Sequence, residues 1–294
     1  VSTDGLIVVD KPGGMTSHDV VARLRRLART RRVGHGGTLD PMATGVLVIG
    51  IGRATRLLTY VIGADKSYAA TIRLGQATVT DDAEGDVIAT TPAGTLTDEA
   101  VRAALAGLTG EIDQVPSAVS AIKINGQRAY KRVRAGESVD LPARRVTVSR
   151  LDVLAIRRTS PDVVDVDIDV ACSTGTYIRA IARDAGLALA VGGHLTALRR
   201  TAVGGFTVAE AATLDELEHR APDVVDLPLA AAAERFFPRR DATEEEAKVL
   251  SHGGPLDPVG RTGPYAVFDP AGGLIAIVSE RAGRARAEIV LAPA

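Results

Sequence analysis

The chain has 294 residues, 46% of them hydrophobic and 24% charged, which suits an ordinary soluble globular protein with one large domain and a smaller one. Its 35 lysines and arginines against 36 acids give a formal charge of −1, so the total does not mark a general polyanion binder. A single cysteine, Cys172, excludes an intrachain disulfide and argues against a cysteine-based zinc site. No apolar run reaches the roughly 20 residues that span a bilayer, and VSTDGLIVVDKPGG does not read as a signal peptide, so a cytoplasmic location is expected.

In chain order, GLIVVD at 5–10 reads as a strand and KPGGMTS as a loop. Ser17 is the predicted N-cap of a helix whose Val20, Val21, Leu24 and Leu27 recur at helical spacing, with arginines on its exposed side. RRVGHGGTLDPMATG is a Gly- and Pro-punctuated loop. It runs into a buried strand, VLVIGIG, and then a predicted helix from Arg53 to Ile62. SYAATIRLG alternates as a strand should, and DDAEGDVIATT follows as a turn and second strand. Thr97 is the expected cap of the next helix, with Asp98 and Glu99 in its first turn, where the helix dipole favours acid. Basic residues from Lys123 to Arg145 then lead into a strand. DVVDVDIDVAC alternates apolar and acidic, as a strand with one solvated face does. STGTYIRAIARDAGLAL passes from loop to helix. Residues 221–240 look like a connecting stretch, and YAVFDPAGGLIAIVSE has the form of a hairpin in a small, mostly β domain.

The charge is segregated. Arg23, Arg25, Arg26, Arg29, Arg31 and Arg32 form one basic run; Lys123, Arg128, Lys131, Arg132, Arg134, Arg144 and Arg145 form another. Such runs either build a positive face that attracts a phosphate backbone or are simply solvated surface.

The densest site signal is Gly34-His35-Gly36-Gly37-Thr38-Leu39-Asp40-Pro41. Glycines there let the backbone take unusual dihedrals or admit a ligand closely, and loops carried by strands concentrate catalytic groups. Asp40 is the only acid between Asp19 and Asp65; it is either a catalytic carboxylate or a turn-opening Asp before Pro. Arg179 falls near a predicted helix start, where the dipole disfavours a cation unless an anion lies close; Asp40 could supply it, or Arg179 is a surface residue. Tyr68, in Lys66-Ser67-Tyr68, could stack on an extruded base or pack in a sheet. Cys172 reads as core filler. KPGGMTS lacks the Gly-Lys-Ser/Thr ending of a triphosphate loop, and His18, His35, His194, His219 and His252 show no metal-ligand spacing; no cofactor is implied.

In order, KPGGMTS, GHGGTLDPMATGVL, DKSYAATIRLGQAT, PSAVSAIKINGQRAYKR and CSTGTYIRAIARDAG resemble the TruB family of bacterial tRNA pseudouridine-55 synthases, over residues 5–205. The tail from about 230 resembles the small RNA-binding PUA-type domain such enzymes carry. The resemblance implies an α+β pseudouridine-synthase fold: a central mixed, mainly antiparallel sheet flanked by helices, with residues 1–229 catalytic, a thumb-like RNA-binding insert at 123–145 and a PUA-like domain at 230–294. It implies base flipping of uridine 55 in the T-loop of tRNA and its isomerisation to pseudouridine without cofactor, guide RNA or protein partner, by a cytoplasmic monomer that meets no membrane. Asp40 matches the family's essential aspartate. Tyr68 matches the base-stacking tyrosine and Arg179 the arginine paired with the aspartate. Tyr177 and Leu198 match pocket-lining positions, and His35 the histidine that holds the disrupted loop. Lys11 and Pro12 belong to a block beside the site. Lys123, Arg128, Lys131 and Arg132 belong to the thumb. One departure is Thr78-Val79-Thr80, where the family usually has Thr-Asp-Thr, which weakens any role for that turn. Two other readings use the same basic residues: an RNA chaperone that does not need Asp40, and a guide-dependent relative.

Overall fold

The computed structural model describes residues 4–117, 123–124, 127–128 and 141–292. In chain order the elements are β1 (Gly5–Lys11), α1 (Ser17–Leu27), β2 (Val33–His35), β3 (Thr44–Ile51), α2 (Leu58–Gly63), β4 (Lys66–Leu74), β5 (Gln76–Thr78), β6 (Val87–Thr90), α3 (Asp98–Ala106) and β7 (Gly110–Gln114). Next come β8 (Lys123–Ile124), β9 (Gln127–Arg128), β10 (Arg144–Ser160), β11 (Val163–Cys172), α4 (Ile178–Ala188), β12 (Gly193–Val203), β13 (Phe206–Thr207) and α5 (Leu214–Arg220). The last are β14 (Leu227–Pro228), α6 (Leu229–Glu234), β15 (Arg239–Asp241), α7 (Glu244–Ser251), β16 (Tyr265–Phe268), β17 (Leu274–Arg281) and β18 (Arg284–Val290).

One mixed sheet carries the site, in the order β14-β1-β3-β12-β4-β11-β10-β7, with β2 beside β3 and β13 beside β12. Its pairings are antiparallel except where β12 meets β3 at Arg199↔Thr44 and Arg200↔Gly45. A separate four-stranded sheet, β15-β16-β17-β18, forms the β-rich C-terminal part, in which β16 and β17 are the expected hairpin.

The apolar runs of β1 and β3 lack alternation because both of their faces are buried. Ile7, Val9, Leu47 and Ile49 face the main core with α1, Ile181 and Ala185. Leu6, Val8, Val46 and Val48 face a second core that they share with Phe237, Phe268, Leu274 and Ile277 of the C-terminal part. The stretch after residue 222 is therefore more than a connection: it supplies β14 at the edge of the main sheet and α6 in that shared core.

Two helix expectations are corrected. Thr16, not Ser17, caps α1: its hydroxyl accepts from the Asp19 amide, and Asp19 answers at the Thr16 amide in a capping box. Ser17 is the first helical residue and is buried. The helix placed from Arg53 to Ile62 is a 3₁₀ segment, Gly52–Leu57, followed by α2; Thr97 does cap α3. The acidic face of β11 is also less solvated than its alternation implies. Asp165 is buried and takes two 2.8 Å bonds from Arg73, while Asp167 accepts from Thr71 and Arg157.

Candidate active site

The loop between β2 and β3 is fastened from several sides. Ser17 Oγ donates to the Leu39 carbonyl at 3.1 Å and accepts from the Leu39 amide at 2.9 Å, tying the first turn of α1 to the residue before Asp40. Lys11, fully buried, donates to the carbonyls of Pro12 (2.9 Å), Met15 (2.6 Å) and Pro41 (3.2 Å), fixing the residue after it. Arg200 donates to the carbonyls of Val46 (2.7 Å), Gly37 (3.1 Å) and Thr38 (3.4 Å). At Gly45, φ is +97° and a Cβ would lie 2.2 Å from the Arg200 carbonyl; only glycine lets β3 and β12 meet where the loop rejoins the sheet.

Asp40, held in this way, faces Arg179. The Arg179 Nε lies 3.1 Å from Asp40 Oδ2, with Nη2 at 3.4 Å from Oδ1. The arginine side chain is 6% exposed and the aspartate 36%, so the carboxylate opens outward from a buried cation. Arg179 is the second residue of α4, at the dipole's positive end, and it is compensated by two anions. The second is Asp82, 3% exposed, with Oδ2 3.2 Å from Nη1, which also reaches the Thr80 carbonyl at 2.9 Å. Asp82 is itself fixed by the Glu84 amide (3.0 Å) and the Thr80 hydroxyl, and the Thr78 hydroxyl bonds its carbonyl at 2.8 Å. Sequence reasoning missed Asp82. The acidic turn at 81–86 was visible, but nothing local says which acid turns inward. Val79, the family departure, is 42% exposed and leaves that network intact.

Asp40 and Arg179 line a cavity of about 270 Å³ together with Tyr68, Tyr177, Leu198, Lys66 and Arg200. Tyr68 and Leu198 lie on the adjacent strands β4 and β12, where Leu198 stands opposite Ala70 and Arg200 opposite Tyr68. Burial pushes the Tyr68 hydroxyl above the usual tyrosine range, so the ring presents a neutral phenol at physiological pH. Tyr177 immediately precedes α4. Gln114, another buried residue not anticipated, clamps its backbone by accepting from the amide at 2.8 Å and donating to the carbonyl at 3.1 Å. Lys66 is committed to the Ile62 and Ala64 carbonyls and the Thr174 hydroxyl, and burial lowers its pKa.

Other expected residues fall elsewhere. His35 is half-buried on β2, outside the lining of this cavity. Its ring packs edge-to-face on His18 at 5.4 Å, its Nδ1 is buried without a hydrogen-bond partner among the described residues, and burial lowers its pKa. Pro12 is exposed and, with Lys11, borders a neighbouring groove. Lys123 and Arg128 stand opposite each other in the β8–β9 pair, Lys131, Arg132 and Arg134 lie outside the described residues, and Arg145 pairs with Glu111 and Asp113. In the first basic run, Arg23 is neutralised by Asp215 and Glu218. Cys172 is buried, as a core residue. Among the described residues no helix is long and apolar enough to cross a membrane, and no three His, Cys, Asp or Glu side chains group as metal ligands.

Residues 25–178 match the family model for the N-terminal domain of the TruB family of pseudouridylate synthases. Residues 179–223 match the tRNA pseudouridylate synthase B C-terminal domain, and residues 237–292 the tRNA pseudouridine synthase II C-terminal model. The tRNA pseudouridine synthase B of Mycobacteroides abscessus is 56% identical over all of this chain and 98% of the relative, and that of Arthrobacter sp. is 55% identical over 98% and 97%. Among solved structures, a chain of an H/ACA RNP bound to a substrate RNA containing 2′-deoxyuridine superposes with a TM-score of 0.72 at 25% identity, over 98% of this chain and 85% of that one. By family models spanning the catalytic sheet and the C-terminal part, and by full-length relatives above half identity, the chain belongs to the TruB family of pseudouridylate synthases.

Proposed function

We propose that this chain isomerises uridine 55 to pseudouridine in the T-loop of tRNA, with Asp40 as the group that reacts at the ribose. The observation that carries the assignment is the fixed Asp40–Arg179–Asp82 chain of charges at one cavity with Tyr68 and Leu198. A flipped uridine brings its sugar to the open face of Asp40 and its base against Tyr68; stacking offsets part of the few kcal/mol that extrusion costs. Either the Asp40 carboxylate bonds to C1′ as the C1′–N1 bond breaks, or it takes the 2′ proton as that bond breaks and a glycal forms. Both routes release uracil with the bonding pair. The uracil turns and C5 bonds to C1′, as the Asp40–C1′ bond breaks on the first route or as Asp40 returns the 2′ proton to C2′ on the second. The proton lost from C5 is matched by one gained at N1, so the product is an isomer of the substrate and no external oxidant or reductant enters. Arg179 supplies the orientation: a planar guanidinium held by Asp82 keeps the Asp40 oxygens from rotating away.

Tyr177 and Leu198 complete the pocket walls in this reading, and His35 with the basic residues Lys123, Arg128, Lys131 and Arg132 serves the RNA around the flipped nucleotide. The 230–294 region is read as a PUA-like RNA-binding unit joined to a catalytic unit at 1–229. A cytoplasmic monomer acting alone fits the full-length likeness to the bacterial synthases, whereas the H/ACA likeness keeps a guide-dependent reading as an outcome of the test.

The test is a T-arm hairpin carrying [5-³H]uridine at the loop position, incubated with the purified chain alone. Release of tritium into water, with pseudouridine in the digest, is the expected result. RNA binding without release would leave the chaperone reading; release only on adding a guide RNA and partner proteins would leave the guide-dependent one.

A further inference from the structure

Arg200 is a buried cation with no carboxylate partner among the described residues. It is 1% exposed, and its three hydrogen-bond acceptors of known distance are the neutral carbonyls of Val46, Gly37 and Thr38. Among the described residues no carboxylate lies within ion-pair distance of it. The other inward or half-inward arginines on and beside this sheet differ: Arg179 of α4 has Asp40 and Asp82, Arg73 has Asp165, and the adjacent Arg199, 39% exposed, has Asp10 at 2.7 Å. Burying a guanidinium costs several kcal/mol, and carbonyl dipoles offset only part of that when no counter-charge is present. A clamp on three carbonyls could be built from neutral donors. Lys11 and Lys66 are also buried cations held by neutral acceptors, but Arg200 differs in lining the cavity beside Asp40 and Tyr68 with a guanidinium that cannot shed its proton, so a negative charge arising there meets a fixed counter-charge.

Arg200 lines the cavity together with Gly37, Thr38, Asp40 and Tyr68, and it stands opposite Tyr68 across β12 and β4. Both Arg200 and Asp40 act on the Tyr68 hydroxyl, the arginine favouring its ionised form and the aspartate opposing it. The base against Tyr68 therefore lies within the field of both charges.

We infer that Arg200 is the fixed positive charge that stabilises the uracil anion as it leaves the ribose. This rests on the isomerase reading above. When the C1′–N1 bond breaks, the electron pair stays on N1 and spreads to O2 and O4; when C5 bonds to C1′, the pair is returned. The negative charge exists only between these events, so a preorganised cation in a low-dielectric wall favours bond breaking more than it favours binding of neutral uridine. The demand is the same on the nucleophilic and the glycal route, since both release the same anion.

The experiment compares uridine with 5-fluorouridine in the same T-arm hairpin, by single-turnover loss of the starting nucleoside in the digest. Fluorine makes the departing uracil more acidic, so it needs less help. In the unaltered chain the fluoro-to-uridine rate ratio is expected within about three-fold of one, because Arg200 already carries the charge. Arg200→Gln and Arg200→Met are expected to slow uridine by about 10²–10³-fold and 5-fluorouridine at least about ten-fold less, with hairpin affinity retained and the melting temperature lowered by loss of the donors to Val46, Gly37 and Thr38. Arg200→Lys, which keeps the charge and loses the fork, is expected to keep the ratio of the unaltered chain at a lower rate. Equal losses on both substrates would reduce Arg200 to a loop clamp and overturn the inference. Should the neutral variants not fold, a ratio above about thirty in the unaltered chain overturns it equally. Failure of the unaltered chain to convert uridine would instead strike the isomerase reading, which keeps the two outcomes apart.

Discussion

Arg179 is shared between Asp40, at 3.1 Å from its Nε, and Asp82, at 3.2 Å from its Nη1. The two carboxylates are unequal. Asp82 is buried and tied by backbone and hydroxyl donors, whereas Asp40 is partly open to solvent. The buried acid therefore anchors the guanidinium, and the guanidinium positions the open acid. Removing the anchor's charge with Asp82→Asn leaves Arg179 able to tilt, and a misplacement of about 1 Å at a reacting group costs about 10²-fold in rate. The expected result is a single-turnover rate down about 10–100-fold, with hairpin affinity within about three-fold of the unaltered chain. Arg179→Lys should lose as much or more, since a point charge cannot face both acids as a planar fork does. A normal rate in Asp82→Asn would show that Asp40 needs no such support.

Asp40→Asn separates chemistry from binding more sharply. The amide is nearly isosteric, so the loop anchored through Leu39 and Pro41 keeps its course. An amide neither attacks C1′ nor accepts the 2′ proton, and rates should fall by at least about 10⁴-fold while filter binding of the hairpin persists. Tritium release by this variant at more than about a hundredth of the normal rate would remove Asp40 from the reaction.

Much of this was legible along the chain, and the limits have physical causes. Asp40 stood out because a Gly- and Pro-rich loop next to an apolar strand holds one acid amid arginines. Arg179 stood out because a cation at a helix start needs an anion. Arg200 did not. Bulges in β12 between Leu195 and Ala197 and between Arg200 and Ala202 break the period of two, so alternation cannot say which of Arg199 and Arg200 turns inward. Local sequence does not separate Thr16 from Ser17 as the cap, since both are good caps; Thr16 wins through its reciprocal bond with Asp19. The shared core of β1 and β3 with the C-terminal part was hidden for a simpler reason: an unbroken apolar run says that both faces are covered, not by what.

Lys11 should leave a signature in stability against pH. Burial lowers its pKa from 10.5 to about 8, against an opposing pull from Asp40. Between those values the unfolded chain holds a proton that the folded chain has lost, so stability rises with pH from about 8 to about 10.5. Below pH 8 the cost of the buried charge is present in full. Groups other than Lys11 titrate alike in Lys11→Met and cancel in the comparison. From pH 7.5 to 9.5 the unaltered chain should gain about 1–2 kcal/mol relative to Lys11→Met in urea denaturation. A difference that stays flat over this range would mean that the ammonium is not strained by burial. The same variant leaves the Pro12, Met15 and Pro41 carbonyls without their donor and should slow turnover about ten-fold through a looser Pro41.

Cys172 offers a probe of the core beneath the site, because it is the one thiol in the chain. It ends β11 opposite Lys66 and is buried, and burial raises its pKa to about 11, with Thr176 and Lys66 pulling the other way. At pH 8 a thiol of that pKa is ionised in only about one molecule in a thousand, and the thiolate is the reactive form. Alkylation by iodoacetamide in the native chain should therefore be slower than that of the denatured chain by at least about 10²-fold. Because β11 lies beside β4, which carries Tyr68, labelling also reports whether a site variant has loosened the sheet. For Asp40→Asn and Arg200→Gln the native labelling rate should match that of the unaltered chain. Fast labelling in an inactive variant would assign its lost activity to an opened core rather than to the missing charge.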